Sequence, residues 1–142
     1  QLTKHTFMLP GAAEMVDYAV SIGIKLAVVT NKPTAMAREI LDYFGIAKHL
    51  EVVIGGDSGV ARKPSPEPLL LALNTISVSV KDAWMVGDGL PDLGAAKAAG
   101  MMAIAVPSDY GEPFDLLDHA SIAVADMAAL TSLLAFISRR AL

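Results

Sequence analysis

The stretch that decides the fold is Ala83–Asp92, which reads Ala-Trp-Met-Val-Gly-Asp-Gly-Leu-Pro-Asp. Its short apolar run ends abruptly in Gly-Asp, which is typical of a buried strand bounded by a turn. Pro91 suits the first turn of a following helix, and Gly100 is the stop signal of that helix. The pattern therefore places Asp88 at the carboxyl end of a strand and Asp92 on the first helical turn beside it.

These two carboxylates have two possible interpretations. Ligands bind at the carboxyl edge of open α/β sheets, and two carboxylates with no basic residue between them suit a hard cation such as Mg²⁺. However, the helix dipole favours Asp in a first turn whatever the protein does, and Gly-Asp-Gly is common turn chemistry. The stretch taken alone leaves both interpretations open.

The composition favours one domain with strands buried on both faces. The chain has 142 residues, of which 54% are hydrophobic and 18% charged, and its mean hydropathy is +0.49. Soluble domains average about 25% charged residues. The apolar residues form short runs such as Ile24–Val29 and Met101–Val106, as in parallel sheets covered by helices. The excess of apolar residues also suggests that a face meant to be covered is uncovered in this chain.

The charge and the cysteine content limit the possible sites and partners. The formal net charge is −4, the pI is about 5.2 and no basic stripe occurs, so we expect no nucleic-acid partner. No apolar run approaches the roughly 18 residues of a membrane helix, so we expect no membrane association. The absence of cysteine excludes disulfides and thiolate metal sites. Without a signal-peptide pattern, a cytoplasmic location is the default expectation.

Strand and helix patterns alternate along the chain, which predicts a parallel sheet with helices on both faces. Residues 1–10 are predicted to be a linker or the tail of an upstream segment, and residues 11–142 a single domain. A loop at 107–119 is predicted to hold one helical turn near Phe114–Leu117. The predicted strands are Lys25–Thr30, Val52–Ile54, Ala83–Val86, Ala103–Val106 and Ile122–Val124. The predicted helices are Ala12–Ile22, Thr34–Phe44, Glu67–Ile76, Pro91–Ala99 and Met127–Ile137.

Three further polar residues are candidates for binding an anion. Thr30 ends a predicted strand, and Asn31 lies next to a helix whose first N–H groups attract anions. Lys63 lies in a loop stiffened by Pro64 and Pro66, where its ammonium group suits a phosphate. Thr30 and Lys63 each have an ordinary alternative, because Thr30 is also a good helix N-cap and a lysine in a surface loop is normally just solvated.

Taken together, these motifs resemble the haloacid dehalogenase superfamily of phosphohydrolases, and most closely its phosphoglycolate phosphatase branch. Each motif is weak alone, but their order and spacing on an alternating strand–helix background make the set specific. The resemblance runs from about Pro10 to the end and implies a three-layer, Rossmann-like α/β fold with a parallel sheet. The matching residues are Val28–Pro33, Gly55–Asp57, Arg62–Pro66 and Met85–Asp88 with Asp92.

The resemblance implies a role for each candidate residue. The family's second motif falls on Thr30, whose hydroxyl binds the phosphate, with Asn31 supplying a backbone N–H. The third motif falls on Lys63, which neutralises the phosphate and the attacking carboxylate. The fourth falls on Asp88, a Mg²⁺ ligand, with Asp92 binding the metal or orienting its waters.

The family's first motif, Asp-x-Asp-Gly-Thr, does not occur in this chain. It supplies the nucleophile and the general acid/base, and the only Asp before Thr30 is Asp17, inside a predicted helix. The helical cap domain that usually follows this motif is missing as well. The resemblance therefore implies a sheet that is incomplete without its first strand, which would lie between the strands ending at Thr30 and Asp88. We expect another segment or another chain to complete it, because open strand edges recruit other chains.

The implied function is the core of a Mg²⁺-dependent phosphatase that acts on a small phosphorylated metabolite and is inactive without a nucleophilic aspartate from outside this chain. A non-catalytic phosphate- or metal-binding or regulatory module that has lost its nucleophile is the alternative. An Asp-x-Asp encoded upstream of Gln1 would discriminate between these two. A response-regulator receiver would need an acidic pair on the first strand and a lone phosphorylatable Asp at the third, and the sequence shows neither.

Overall fold

The computed structural model describes residues 11–107 and 120–141, with side chains as far as residue 135. The predicted linker at residues 1–10 and the predicted helical turn near residues 114–117 lie outside these ranges. The described helices are α1 (Ala12–Ser21), α2 (Thr34–Tyr43), α3 (Glu67–Ile76), α4 (Leu90–Ala99) and α5 (Met127–Ala141), with short 3₁₀ turns at Ala47–His49 and Val80–Asp82. The described strands are β1 (Ala27–Val29), β2 (Val52–Ile54), β3 (Trp84–Gly87), β4 (Met102–Ala105) and β5 (Ile122–Ala123).

The helices begin and end close to the signals in the sequence. Pro91 lies in the first turn of α4, and the helix ends at Gly100, whose φ of 73° is the left-handed conformation that glycine adopts without strain. The last helix was predicted to end at Ile137 but continues to Ala141. No Gly or Pro follows Met127 to stop it.

Strand β1 is shorter than predicted because its partner is short. Its three residues pair in parallel with the three residues of β2, and Val29 lies opposite Ile54. The chain after Ile54 turns away through Gly55 and Gly56, so the ladder ends there. Thr30 lies just past the strand, although its N–H still donates to the Ile54 carbonyl at 2.9 Å.

All described strand pairs are parallel, but they form two sheets rather than one. Strands β1 and β2 form the first sheet, and β3, β4 and β5 form the second in that order. Within the described ranges, β1 bonds only to β2, and β3 bonds only to β4 and not to β1. We call the interval between β1 and β3 the seam. The resemblance implied a missing first strand at this place.

Helices cover both faces of the second sheet, as predicted. Successive residues of β4 point in opposite directions, so Ala103 and Ala105 pack with Leu93 of α4 and Leu69 of α3. Ile104 instead joins the cluster formed with helix α5 and with α1 on the other face. Helix α3 also packs against β1 and β2, so the α3–α4 layer extends across the seam.

The strands that border the seam are more exposed than their outer neighbours. Ala27 of β1 is exposed, and the rest of β1 and most of β3 are half-buried. Val53, Ile54 and residues 103–105 of β4 are buried. Interior strands of a parallel sheet are normally the most buried, so the uncovered apolar surface suggested by the composition lies along this seam. Among the described helices, none is long and apolar enough to cross a bilayer.

Candidate functional site

The side chain of Lys63 lies at the carboxyl end of the seam. Its Nζ donates to the Val29 carbonyl at 2.8 Å and to Oδ1 of Asp92. The Leu26 carbonyl accepts from the Glu51 N–H just before β2, and the Thr30 N–H donates to Ile54 of β2. Because alternate residues of a strand face opposite edges, the Val29 carbonyl is turned toward the open edge. The side chain of Lys63 is only 8% exposed. Its ammonium thus links the end of β1 to the first turn of α4, and it keeps a third N–H for a ligand.

Asp92 is close to the carboxyl end of β3 because Gly87 has no side chain. A Cβ added to Gly87 would lie 2.3 Å from the Cβ of Asp92 and 2.7 Å from its Oδ2. Asp88 follows Gly87 directly and is half-buried. Within the described part of the chain, no hydrogen bond engages the Asp88 carboxylate. The structure therefore brings Lys63, Asp88 and Asp92 to one rim of the sheet.

Thr30 and Asn31 reach the same rim from β1. The Thr30 hydroxyl accepts a hydrogen bond from the Lys32 N–H at 3.2 Å, and this short turn leaves its proton free to donate to a ligand. The backbone N–H of Asn31 has no partner among the residues described. Both groups are thus donors next to the Lys63 ammonium, which is the arrangement expected of a phosphate pocket.

The N-cap alternative for Thr30 is wrong, because another residue caps the helix that follows. Helix α2 begins at Thr34, and Asp57 Oδ1 accepts hydrogen bonds from the Thr34 N–H at 2.9 Å and the Thr34 hydroxyl at 2.7 Å. These bonds, that of the hydroxyl first, lower the pKa of the Asp57 carboxyl below its ordinary value of 3.8. The N-terminal end of α2 thus already holds an anionic group, so a further anion at this rim would meet the loop before the helix instead.

Two loops are held together next to this rim. The Gly56 N–H donates to the Lys32 carbonyl at 2.8 Å, and a Cβ on Gly56 would lie 2.2 Å from the Asn31 carbonyl oxygen. The Asn31 side chain pairs with the backbone of Lys63: its Nδ2 donates to the Lys63 carbonyl at 3.1 Å, and its Oδ1 accepts from the Lys63 N–H at 3.0 Å.

The carboxylates of the rim fit part of a Mg²⁺ site. No group of three or more His, Cys, Asp or Glu residues that could hold a metal occurs within residues 11–107 and 120–141. Mg²⁺ is commonly bound through one or two carboxylates, waters and phosphate oxygens. Asp88 has both oxygens available, whereas Asp92 uses one oxygen to pair with Lys63. The residues therefore fit a site in which Asp88 is the direct ligand and Asp92 a secondary one.

Sequence reasoning missed two contributions to this arrangement. Asp57 was matched only as part of Gly55–Asp57 and given no role, and the side chain of Asn31 was given none either. In both cases the partner is distant in sequence: Thr34 lies 23 residues from Asp57, and Lys63 lies 32 residues from Asn31. The Gly-Gly pair was the available signal, because it marks a close approach between backbones.

Comparisons with known proteins agree with the fold. A family model described as haloacid dehalogenase-like hydrolase matches residues 1–100. The phosphoglycolate phosphatase of Escherichia coli K12 is 39% identical over 113 residues, which are 78% of this chain and 45% of that protein. The chain therefore spans less than half the length of such relatives.

Solved structures show the same relationship. A predicted phosphoglycolate phosphatase from Haemophilus somnus superimposes with a TM-score of 0.83 at 29% identity, over 94% of this chain and 60% of that one. CbbY from Rhodobacter sphaeroides, solved in complex with phosphate, superimposes with a TM-score of 0.77 at 31% identity, over 86% of this chain and 55% of that one. On these grounds the chain belongs to the haloacid dehalogenase-like hydrolases.

Proposed function

We propose that these residues form the phosphate pocket and part of the metal site of a Mg²⁺-dependent phosphomonoester hydrolase. The observation that carries the proposal is the position of the Lys63 ammonium. It is largely buried between the Val29 carbonyl and Asp92, at the rim where Thr30 and Asp88 follow their strands. Low exposure strengthens the electrostatic interactions of a cation held at such a place, and its position is set before a ligand arrives.

Each residue has a distinct task in this proposal. The Thr30 hydroxyl and the Asn31 N–H donate to two phosphate oxygens. Lys63 donates its third N–H to the transferring phosphoryl group, and its ammonium neutralises negative charge on that group. Asp88 holds the metal, and Asp92 keeps Lys63 in place and contacts the metal or its waters. Bound Mg²⁺ would add positive charge where negative charge develops on the phosphoryl oxygens. Most catalysis of phosphoryl transfer comes from positioning and charge stabilisation of this kind.

The nucleophile is proposed to come from a strand that occupies the seam. The Val29 carbonyl and the Ala27 N–H face this interval, so a parallel strand inserted there would pair with β1 on one side and β3 on the other. A carboxylate at its carboxyl end would emerge between Thr30 and Asp88. The sequence of this chain has no Asp-x-Asp, so the strand belongs to another segment or another chain.

The substrate is proposed to be a small phosphorylated metabolite. The relatives from Escherichia coli K12 and Salmonella paratyphi A are named phosphoglycolate phosphatases, and phosphoglycolate is accordingly the first compound to test. The proposal includes no nucleic-acid partner, since the net charge is −4. It includes no membrane partner, since no apolar run is long enough for a membrane helix, and it includes a cytoplasmic location.

The test is hydrolysis of an aryl phosphate by the protein expressed from its complete reading frame. We expect hydrolysis that requires Mg²⁺ and that falls by about 100-fold or more in Asp88→Asn, because the loss of one group aimed at the developing charge has an effect of this size. Thr30→Val should also lower the rate, while Asp82→Asn, in an exposed 3₁₀ turn, should leave it unchanged. Unaltered metal-dependent activity in Asp88→Asn would contradict the metal assignment.

A non-catalytic phosphate-binding module is the second candidate, because the donors of Thr30 and Lys63 would bind a phosphate without any nucleophile. The two candidates differ in a measurable way. If the reading frame encodes no such motif upstream, and the protein binds inorganic phosphate without hydrolysing any phosphomonoester, the second candidate holds and the first is wrong.

A further inference from the structure

The carboxamide of Asn31 pairs with the backbone of Lys63 as one peptide group pairs with another between β-strands, by donating one hydrogen bond and accepting one. Asn31 donates from Nδ2 to the Lys63 carbonyl at 3.1 Å and accepts at Oδ1 from the Lys63 N–H at 3.0 Å. These two bonds also determine the orientation of the amide, because a flipped amide would set donor against donor and acceptor against acceptor. Both residues are half-buried, so water competes only partly for these bonds.

Lys63 is thereby held at both ends by one short segment. The Asn31 side chain binds its backbone, and its Nζ donates to the Val29 carbonyl at 2.8 Å. Val29 and Asn31 flank Thr30, the residue with the other donor of the proposed pocket. The lysine side chain has four rotatable bonds, so the position of its ammonium depends on where its backbone is held.

The other contacts of the loop do not hold the backbone of Lys63 itself. Gly56 N–H donates to the Lys32 carbonyl, and Ala61 N–H donates to Oε2 of Glu67 at 2.9 Å. Both contacts hold the loop before Lys63. Among the described residues, Asn31 alone hydrogen-bonds the backbone N–H and carbonyl of Lys63.

We infer that Asn31 is a positioning residue that fixes Lys63 on the end of β1 and so sets the place of the ammonium at the rim. It acts through Lys63 and not through a side-chain contact with the phosphate, since its Oδ1 and one N–H are already engaged. The effect on phosphate binding rests on the proposed function, whereas the two hydrogen bonds between Asn31 and Lys63 can be measured without it.

The first test measures how strongly Asn31 protects the Lys63 N–H, by native-state amide exchange in the protein expressed from its complete reading frame. We expect Asn31→Ala to accelerate exchange of the Lys63 N–H by about tenfold or more, as for the loss of one or two partly buried hydrogen bonds. The Gly56 N–H, whose acceptor is a backbone carbonyl, should keep its rate. Asn74→Ala is the matched control, because Asn74 is exposed on α3. An unchanged Lys63 N–H in Asn31→Ala would overturn the inference.

The second test asks whether Asn31 acts through the lysine. The dissociation constant of inorganic phosphate is measured by calorimetry for Asn31→Ala, Lys63→Met and the double variant. We expect Asn31→Ala to weaken binding by about tenfold in the parent protein and by less than about twofold in Lys63→Met. Asn31→Asp should be intermediate in exchange, since it keeps the acceptor for the Lys63 N–H and loses the donor.

The outcomes separate the inference from the proposed function. Equal weakening by Asn31→Ala in both backgrounds would show a direct contact with phosphate and overturn the positioning role. A parent protein that binds no phosphate would defeat the proposed function, while the exchange rate of the Lys63 N–H would still decide whether Asn31 holds the loop.

Discussion

Lys63 and Asp92 form an ion pair whose side chains are only 8% and 15% exposed. The pair joins the loop after β2 to the first turn of α4, and the Lys63 ammonium also binds the Val29 carbonyl at the end of β1. It is therefore a link between the two sheets at the place where the seam opens on the proposed pocket. Its burial makes each charge dependent on the other.

Removal of the ammonium should destabilise the protein as well as weaken phosphate binding. We expect Lys63→Met to lower the free energy of unfolding by about 3 kcal/mol, because the carboxylate of Asp92 is left buried without a partner. Adding Asp92→Asn should recover part of this loss. Urea unfolding of the two single variants and the double variant measures it, with Lys97→Met on the exposed part of α4 as control. Additive losses in the double variant would contradict the coupling.

A methyl group at position 87 should disturb the ion pair between Lys63 and Asp92 by displacing Asp92. A Cβ there would lie 2.3 Å from the Cβ of Asp92, so Gly87→Ala must displace the carboxylate from Lys63. We expect a loss of about 2 kcal/mol in the free energy of unfolding, as for other overpacked sites. Gly89→Ala is the matched control, because its Cβ would meet nothing closer than Pro91 Cδ at 3.5 Å. Equal unfolding midpoints for the two variants would show that Asp92 moves without cost.

The bonds from Thr34 to Asp57 predict a dependence of stability on pH. Because they lower the pKa of Asp57 in the folded state, its contribution is present above the ordinary value of 3.8 and is lost as the pH falls through the lower folded pKa. Asp57→Asn does not titrate, so its deficit in melting temperature relative to the parent should shrink between neutral pH and about pH 3. A deficit in melting temperature that stays constant with pH would contradict this prediction.

The open edges of β1 and β3 predict self-association of the 142-residue chain when it is expressed alone. Such edges pair with other chains, and we expect oligomers in gel filtration and early cleavage in limited proteolysis. Ala27→Pro should reduce association, because the Ala27 N–H faces the seam and proline is tolerated on such an edge. Val28→Pro should instead disrupt the β1–β2 pair. A compact, protease-resistant monomer would contradict the prediction.

Local patterns predicted the secondary structure and the residues of the rim. The strand signal before Asp88, the proline at 91 and the stop at Gly100 all lie within a few residues of the features they specify, and they were confirmed. The parallel topology followed from the alternation of strand and helix. The chemical roles of Thr30, Lys63, Asp88 and Asp92 were inferred from resemblance, and they stay predictions.

The sequence by itself determined the α/β fold, the boundaries of most elements and the set of polar residues at the strand ends, because these depend on contacts within one or two turns of chain. Only the tertiary structure decided that Asp92 pairs with Lys63, that Asp57 caps α2 and that Asn31 holds the Lys63 loop. These contacts join residues 23 to 32 positions apart. A side chain has no local signal for such a partner, since the folding of the whole sheet brings the two together.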